Sequence, residues 1–113
     1  MIMMEELLKI INYYGEKNQI RKLAEEQYEL NEALFERFVH GQDEFSIYDD
    51  DEKEAWEYDK NILDGHIEEE IADNLVIIRQ FVALYGLDMV RIEDIVRKKI
   101  ERQLERMKNL DER

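Results

Sequence analysis

With no proline and only four glycines, this 113-residue chain has few positions at which a helix must end. Proline removes a backbone donor and clashes with the preceding turn, so in its absence the joints fall to Gly15, Gly41, Gly65 and Gly86. The intervals between them are mostly long enough for helices, and they carry helical patterning. From Met1 to Tyr14, the residues Leu7, Ile10, Ile11 and Tyr14 fall at i, i+3, i+4 and i+7, on one face. From Asn18 to about Val39, Ile20, Leu23, Leu30, Leu34 and Phe38 take one side, and Glu25, Glu29, Glu32 and Glu36 form a stripe on the other. A third helix places Ile67, Ile71, Leu75, Ile78, Phe81, Val82 and Tyr85 inward; Asp64 would cap it, and Glu68, Glu69 and Glu70 would sit at its positive end. A fourth, from about Arg91 to Leu110, turns Ile92, Val96, Ile100, Leu104 and Met107 inward. No segment alternates as a strand does. The expected fold is therefore all-α, a four-helix bundle forming one domain over residues 1–113.

Charge narrows the function classes. Asp and Glu number 29 against 16 Lys and Arg, a net of −13. A nucleic-acid duplex binder needs a cationic face to displace counterions, so that class is set aside. The absence of Cys removes disulfides, thiolate metal sites and thiol catalysis. The longest apolar runs span a few residues, where a membrane span needs about 20 and a signal peptide about 7–15. A cytoplasmic protein is expected. The acidity is uneven: residues 42–64 hold ten acids and two lysines, with Phe45, Ile47, Tyr48, Ala55, Trp56, Tyr58, Ile62 and Leu63 as apolar anchors. This stretch reads as an acidic insertion between helices two and three, either with a short helix near Glu52 to Asn61 or as a solvated loop.

The chemistry-bearing residues lie on the flanking helices. Glu25, Glu26 and Glu29 on helix two, and Glu70 and Asp73 on helix three, are spaced to put carboxylates on neighbouring turns. Packed together, two such pairs would converge four oxygen donors of the kind Mg²⁺ or Mn²⁺ prefers. On the helical wheel, Glu70 sits at the edge of the Ile67–Ile71–Leu75–Ile78 stripe, and Glu26 lies beside Leu23 and Leu30. Carboxylates at a core's edge lose solvation and repel one another unless a cation joins them. An ordinary explanation stands beside this, since Glu is a good helix former and is usually solvated. Helix four runs against the net charge: segment 91–108 has seven bases and four acids, and Lys99, Arg102 and Arg106 form a row along its apolar stripe. Such a row suits a polyanionic substrate, or else merely pairs with Glu101 and Glu105 and complements the helix dipole. Asn74, in the centre of helix three's stripe, either bonds a neighbouring helix or faces a ligand. Gln19 and Lys22, one turn before the glutamates, either reach the same cavity or are surface residues.

The run Tyr14-Gly15-Glu16-Lys17-Asn18-Gln19, continued by Lys22-Leu23-Ala24-Glu25-Glu26-Gln27-Tyr28-Glu29-Leu30, resembles the MazG-like nucleotide pyrophosphohydrolases of the all-α NTP pyrophosphatase superfamily. Glu69-Glu70-Ile71-Ala72-Asp73 resembles that group's second signature, and Lys99 to Arg106 its closing helix. The resemblance implies Mg²⁺-dependent hydrolysis of a nucleoside triphosphate to monophosphate and pyrophosphate, with house-cleaning duties. It implies Glu26, Glu29, Glu70 and Asp73 as metal ligands, Glu25 as the group that orients or deprotonates water, and Lys99, Arg102 and Arg106 as phosphate contacts. It also implies a homodimer or homotetramer whose core is completed between subunits. One departure is the length of the connection, 40 residues between Glu29 and Glu70, longer than is usual in the group. The acidic stretch accounts for the excess, as a lid, a subunit contact or a specificity element around Trp56.

The main alternative is a non-catalytic acidic bundle that binds a partner through its faces. A di-iron carboxylate bundle needs Glu-x-x-His, and His40 and His66 follow Arg37 and Leu63 at that spacing. An EF-hand near Asp49-Asp50-Asp51 lacks the glycine and glutamate its loop requires.

Overall fold

The computed structural model describes residues 2–112, apart from the side chains of Ile2 and Phe45, so Met1 and the expected anchor Phe45 lie outside the described residues. Among the described residues there are four α-helices, one short 3-10 turn and no strand: α1 (Ile2–Tyr14), α2 (Glu16–Gln42), the turn Asp43–Ser46, α3 (Asp50–Tyr85) and α4 (Met89–Asp111).

Two glycines make joints through a positive φ. Gly15 links α1 to α2 at φ +90°, a conformation costly for any residue with a Cβ. Gly86 ends α3 in the left-handed region at φ +62°, and the amide of Leu87 returns to the carbonyl of Val82 at 2.9 Å. Asp88 then starts α4 by accepting from the amides of Val90 and Arg91. Gly41 is the penultimate residue of α2, beside the turn that ends it, and Gly65 lies inside α3, contrary to its expected role. A glycine in a helix interior costs about 1 kcal/mol, which packing between two long helices outweighs.

The expected acidic insertion is accordingly neither a loop nor a separate short helix. It is the end of α2, the turn and the first half of α3. That helix starts at Asp49, whose carboxylate accepts from the amide of Glu52 at 2.7 Å, and Asp50, Asp51 and Glu52 face the positive end of its dipole. Asp64, expected as the cap, instead pairs with Arg37 on α2 at 2.7 Å.

α2 and α3 form an antiparallel hairpin, because their contacts step in opposite directions: Gln19 meets Gln80, Glu26 meets Asn74, Arg37 meets Asp64 and His40 meets Trp56. The seam is regular. On α2 it runs through Gln19, Leu23, Glu26, Leu30, Ala33 and Arg37, and on α3 through Leu63, Ile67, Glu70, Asn74, Ile77 and Phe81, with spacings of four and three in alternation. That is heptad geometry, with polar groups at several seam positions. α1 packs across both, burying Ile11, while Ile10 and Tyr14 from its expected inward face stay exposed.

Much of the expected core faces outward. Ile20, Leu34 and Phe38 of α2, and Ile71, Leu75, Ile78 and Tyr85 of α3, are exposed. So are Val96, Ile100, Leu104 and Met107 of α4; only Ile92 and Asp94 of that helix are half-buried, and every described residue from Ile95 onward is exposed. The single chain is therefore three packed helices with a fourth projecting from them. An apolar stripe more than about 100° wide needs neighbours on more than one side, and a single hairpin supplies one.

Candidate metal centre and adjoining cavity

The helical seam brings three carboxylates together. Glu26 and Glu29 occupy successive turns of α2, and Glu70 faces them from α3; one oxygen from each lies within 4.8 Å of the other two. Glu26 and Glu70 are buried, whereas Glu29 is exposed. Oε2 of Glu26 and Oε2 of Glu70 have no hydrogen-bond partner among the described residues, and both are sealed from solvent. Desolvated carboxylate oxygens facing one another raise the energy of the fold unless something positive lies between them. The donor set, three carboxylates at neighbouring positions, fits a hard divalent cation.

The electrostatics carry the same signature. Repulsion from Glu26, then burial, then repulsion from Glu70 raise the Glu29 carboxyl above its ordinary range, with Lys22 opposing. The Lys22 ammonium is likewise held above its ordinary range, stabilised chiefly by Glu26 at 3.2 Å, with Glu25 at 4.0 Å and Glu29 adding to the field. On the far side, Nε2 of His66 lies 3.2 Å from Oε1 of Glu70.

Asn74 is the brace beneath the cluster. Its Nδ2 donates to the carbonyl oxygens of Glu26 (3.0 Å) and Glu70 (2.8 Å), fixing the backbones of both buried glutamates with one side chain. Of the two roles open to it in the sequence, the amide group takes the structural one. One turn along, Nε2 of Gln19 donates to Oε1 of Gln80 at 2.7 Å, and both side chains are buried.

A cavity of about 760 Å³ opens beside the cluster. Tyr14, Asn18, Gln19, Arg21, Lys22, Glu25 and Glu26 line it from the α1–α2 side, and Asp73, Val76, Ile77 and Gln80 from α3. That volume suits a small organic ligand, and the wall offers both cations and an apolar floor.

The expected site residues thus divide. Glu26, Glu29 and Glu70 converge; Asp73 lines the cavity without joining the three; Glu25, Gln19 and Lys22 also line it. Lys99, Arg102 and Arg106 lie on the exposed part of α4, and none of the cavity wall comes from that helix. Trp56 has one face of its ring taken by His40. It stacks on His40 at 4.7 Å between centroids, its Nε1 donates to the carbonyl of His40, and its own carbonyl meets Nε2 of His40 at 2.9 Å.

The sequence reading missed Gln80, Arg21 and the contact of His66. A signal existed for two of them: Gln80 continues the seam-side row of Glu70, Asn74 and Ile77, and His66 stands four residues before Glu70, the spacing at which helical side chains meet. Comparison of the chain with protein-family models, with curated proteins and with solved structures gave no match. No helix among the described residues is long and apolar enough to cross a membrane.

Proposed function

We propose that this chain is a Mg²⁺-dependent nucleoside triphosphate pyrophosphohydrolase of the MazG-like type, converting an NTP or dNTP and water to the monophosphate and pyrophosphate. The observation that carries the reading is the pair of buried oxygens, Glu26 Oε2 and Glu70 Oε2, without a donor among the described residues, on two glutamates that converge with Glu29. A cation held there would polarise phosphoryl oxygens and lower the pKa of a water molecule at neutral pH. Glu26, Glu29 and Glu70 would hold it, and Asp73, on the wall of the adjoining cavity, would serve through water. Glu25, exposed on that wall, would orient the attacking water and accept its proton. Lys22 and Arg21 supply positive charge to phosphate oxygens from the same wall.

The row Lys99, Arg102 and Arg106 enters this reading through oligomerisation. In a homodimer or homotetramer, α4 of one copy would cover the exposed stripe of another, and its cationic border would approach the acidic site from outside. The support is the apolar surface that the single chain leaves open on α2, α3 and α4. Work on free nucleotides in the cytoplasm, clearing unwanted ones from the pool, is the setting that fits.

The test is release of pyrophosphate from a panel of NTPs and dNTPs with Mg²⁺, beside the variant Glu70→Gln. Turnover of at least one nucleotide, reduced by more than about 100-fold in the variant, is expected on the loss of a metal ligand. Folded, metal-replete protein that turns over none of them overturns the enzyme reading, and unchanged turnover in Glu70→Gln overturns the site. The exposed rings of Phe35 and Phe38 favour one second reading, a partner-binding bundle without catalysis; it predicts no Mg²⁺-induced rise in melting midpoint.

A further inference from the structure

The two buried glutamates are held in the same way. Glu26 Oε1 lies 3.2 Å from Nζ of Lys22, and Glu70 Oε1 lies 3.2 Å from Nε2 of His66. In each case the partner stands four residues earlier on the glutamate's own helix, and the other oxygen is the one with no partner among the described residues. Two antiparallel helices therefore carry matched units, each a buried carboxylate with one oxygen beside a partner and one without, and the two carboxylates converge across the seam.

We propose that His66 and Lys22 are positioning residues for the cation site, each taking one oxygen of its glutamate so that the other is directed at the ion. The inference rests on the metal reading given above. A carboxylate free to turn about its last torsion exchanges its two oxygens. One fixed through Oε1 keeps Oε2 where it is, and the ordering entropy is spent in folding rather than on binding. The partners differ in charge as well as in shape. An imidazole carrying its proton on Nε2 would give Glu70 a donor, whereas Lys22 places an ammonium beside Glu26.

Neither partner is itself buried: the side chains of Lys22 and His66 are about half-exposed. Each pair joins a half-exposed side chain to a buried carboxylate, so it bears on the glutamate's burial as well as on which of its oxygens stays bare. Groups that hold a ligating carboxylate typically govern metal affinity by about 10–100-fold.

The experiment is a calorimetric titration of Mn²⁺ and of Mg²⁺ into the full chain, into His66→Leu, His66→Gln and Lys22→Met, and into Glu70→Gln as the ligand control. Far-UV circular dichroism and the metal-free melting midpoint of each variant report the fold. The expected result is metal binding by the wild type, a dissociation constant about 10–100-fold higher in His66→Leu and in Lys22→Met, and partial recovery in His66→Gln, which keeps a donor. The metal-free midpoint of His66→Gln should stay near that of the wild type, whereas Lys22→Met, which leaves a buried carboxylate without its cation, should melt lower. Tight binding by the wild type with equal affinity in His66→Leu and Lys22→Met overturns the positioning role and leaves the site standing. Weakened binding that tracks a lowered metal-free midpoint, with no recovery in His66→Gln, overturns it in favour of a purely structural role. No binding by the wild type overturns the metal site itself, and the positioning role with it.

Discussion

Glu29 is the exposed member of a cluster whose other two members are buried, and this sets how acidity acts on the molecule. Its raised pKa means that the folded chain binds a proton at this position more tightly than the unfolded chain does. The sign follows. Below the ordinary carboxylate value of 4.5 both states are protonated and Glu29 contributes nothing. As pH rises from there through the raised value, the folded state must hold a charge that Glu26 and Glu70 repel, and stability falls. The metal-free variant Glu29→Gln should therefore match the wild type near pH 4 and exceed it increasingly towards neutrality, as measured by urea unfolding in chelator at a series of pH values. Saturating Mg²⁺ should reverse the order at neutral pH, because binding to the native state alone adds about 2.7 kcal/mol at 100 times the dissociation constant. A constant offset between the two proteins at every pH would show that Glu29 does not feel the other two acids. Asn74 shows the other side of this economy. Its amide is spent on the two backbone carbonyls that carry the buried glutamates, so the repulsive group is built on fixed backbone.

At the scale of elements, the acidic half of the hairpin is held by two contacts of unlike kind, the Arg37–Asp64 ion pair and the reciprocal His40–Trp56 stack. The stack joins α2 to the first turns of α3 at the end farthest from the carboxylate cluster. Trp56→Ala deletes the indole donor to the His40 carbonyl and removes the ring stacked over His40, leaving the bond between His40 Nε2 and the backbone carbonyl of residue 56 open to competing solvent. Amide hydrogen exchange should therefore quicken over residues 50–60 while residues 66–85 keep their protection, since local opening follows the density of buried contacts. Equal acceleration along the whole of α3 would mean that the helix opens as one unit. This part of the fold was the least legible in the sequence. Helix type, and the caps around Gly15 and Gly86, follow from patterning and backbone chemistry that are local. Whether Gly65 interrupts a helix depends on how much a partner helix offers across it, and that is tertiary information. The same reason explains why Glu26, Glu29 and Glu70 could be named from spacing while Asp73 was grouped with them: one turn of helix decides whether a carboxylate points into the seam or along the wall beside it.

The molecule as a whole is extended. Its radius of gyration is 19.3 Å, with extents of 53 × 43 × 25 Å, whereas a compact chain of this length has a radius of about 13 Å. The longest dimension is close to the length of α3, since 36 helical residues span about 54 Å. Its accessible surface is 9608 Å², about 3,000 Å² above what a compact monomer of this mass exposes. Among the described residues, Ile11, Ala33 and Ile77 are the buried hydrophobic ones, while Ile71, Leu75, Ile78, Ile100 and Leu104 stay at least two-fifths exposed. An amphipathic helix gains most of its stability from packing its apolar face, so α4 in isolation has little to hold it in place beyond its cap and first turns. A stable interface between proteins removes about 800 Å² from each partner, well within the surplus here. The proposed oligomer is thus the arrangement in which the stripes of α2, α3 and α4 can be covered without changing the hairpin that forms the carboxylate site. Sedimentation velocity at micromolar concentration should give a dimer or tetramer, with a melting midpoint that rises with protein concentration. The double substitution Ile100→Glu with Leu104→Glu puts charge on the exposed stripe of α4 and should shift the population to monomer, leaving α-helical content near α1–α3 in place. A wild type that sediments as a monomer at every concentration would remove the route by which Lys99, Arg102 and Arg106 could reach a site that their own chain does not bring them to.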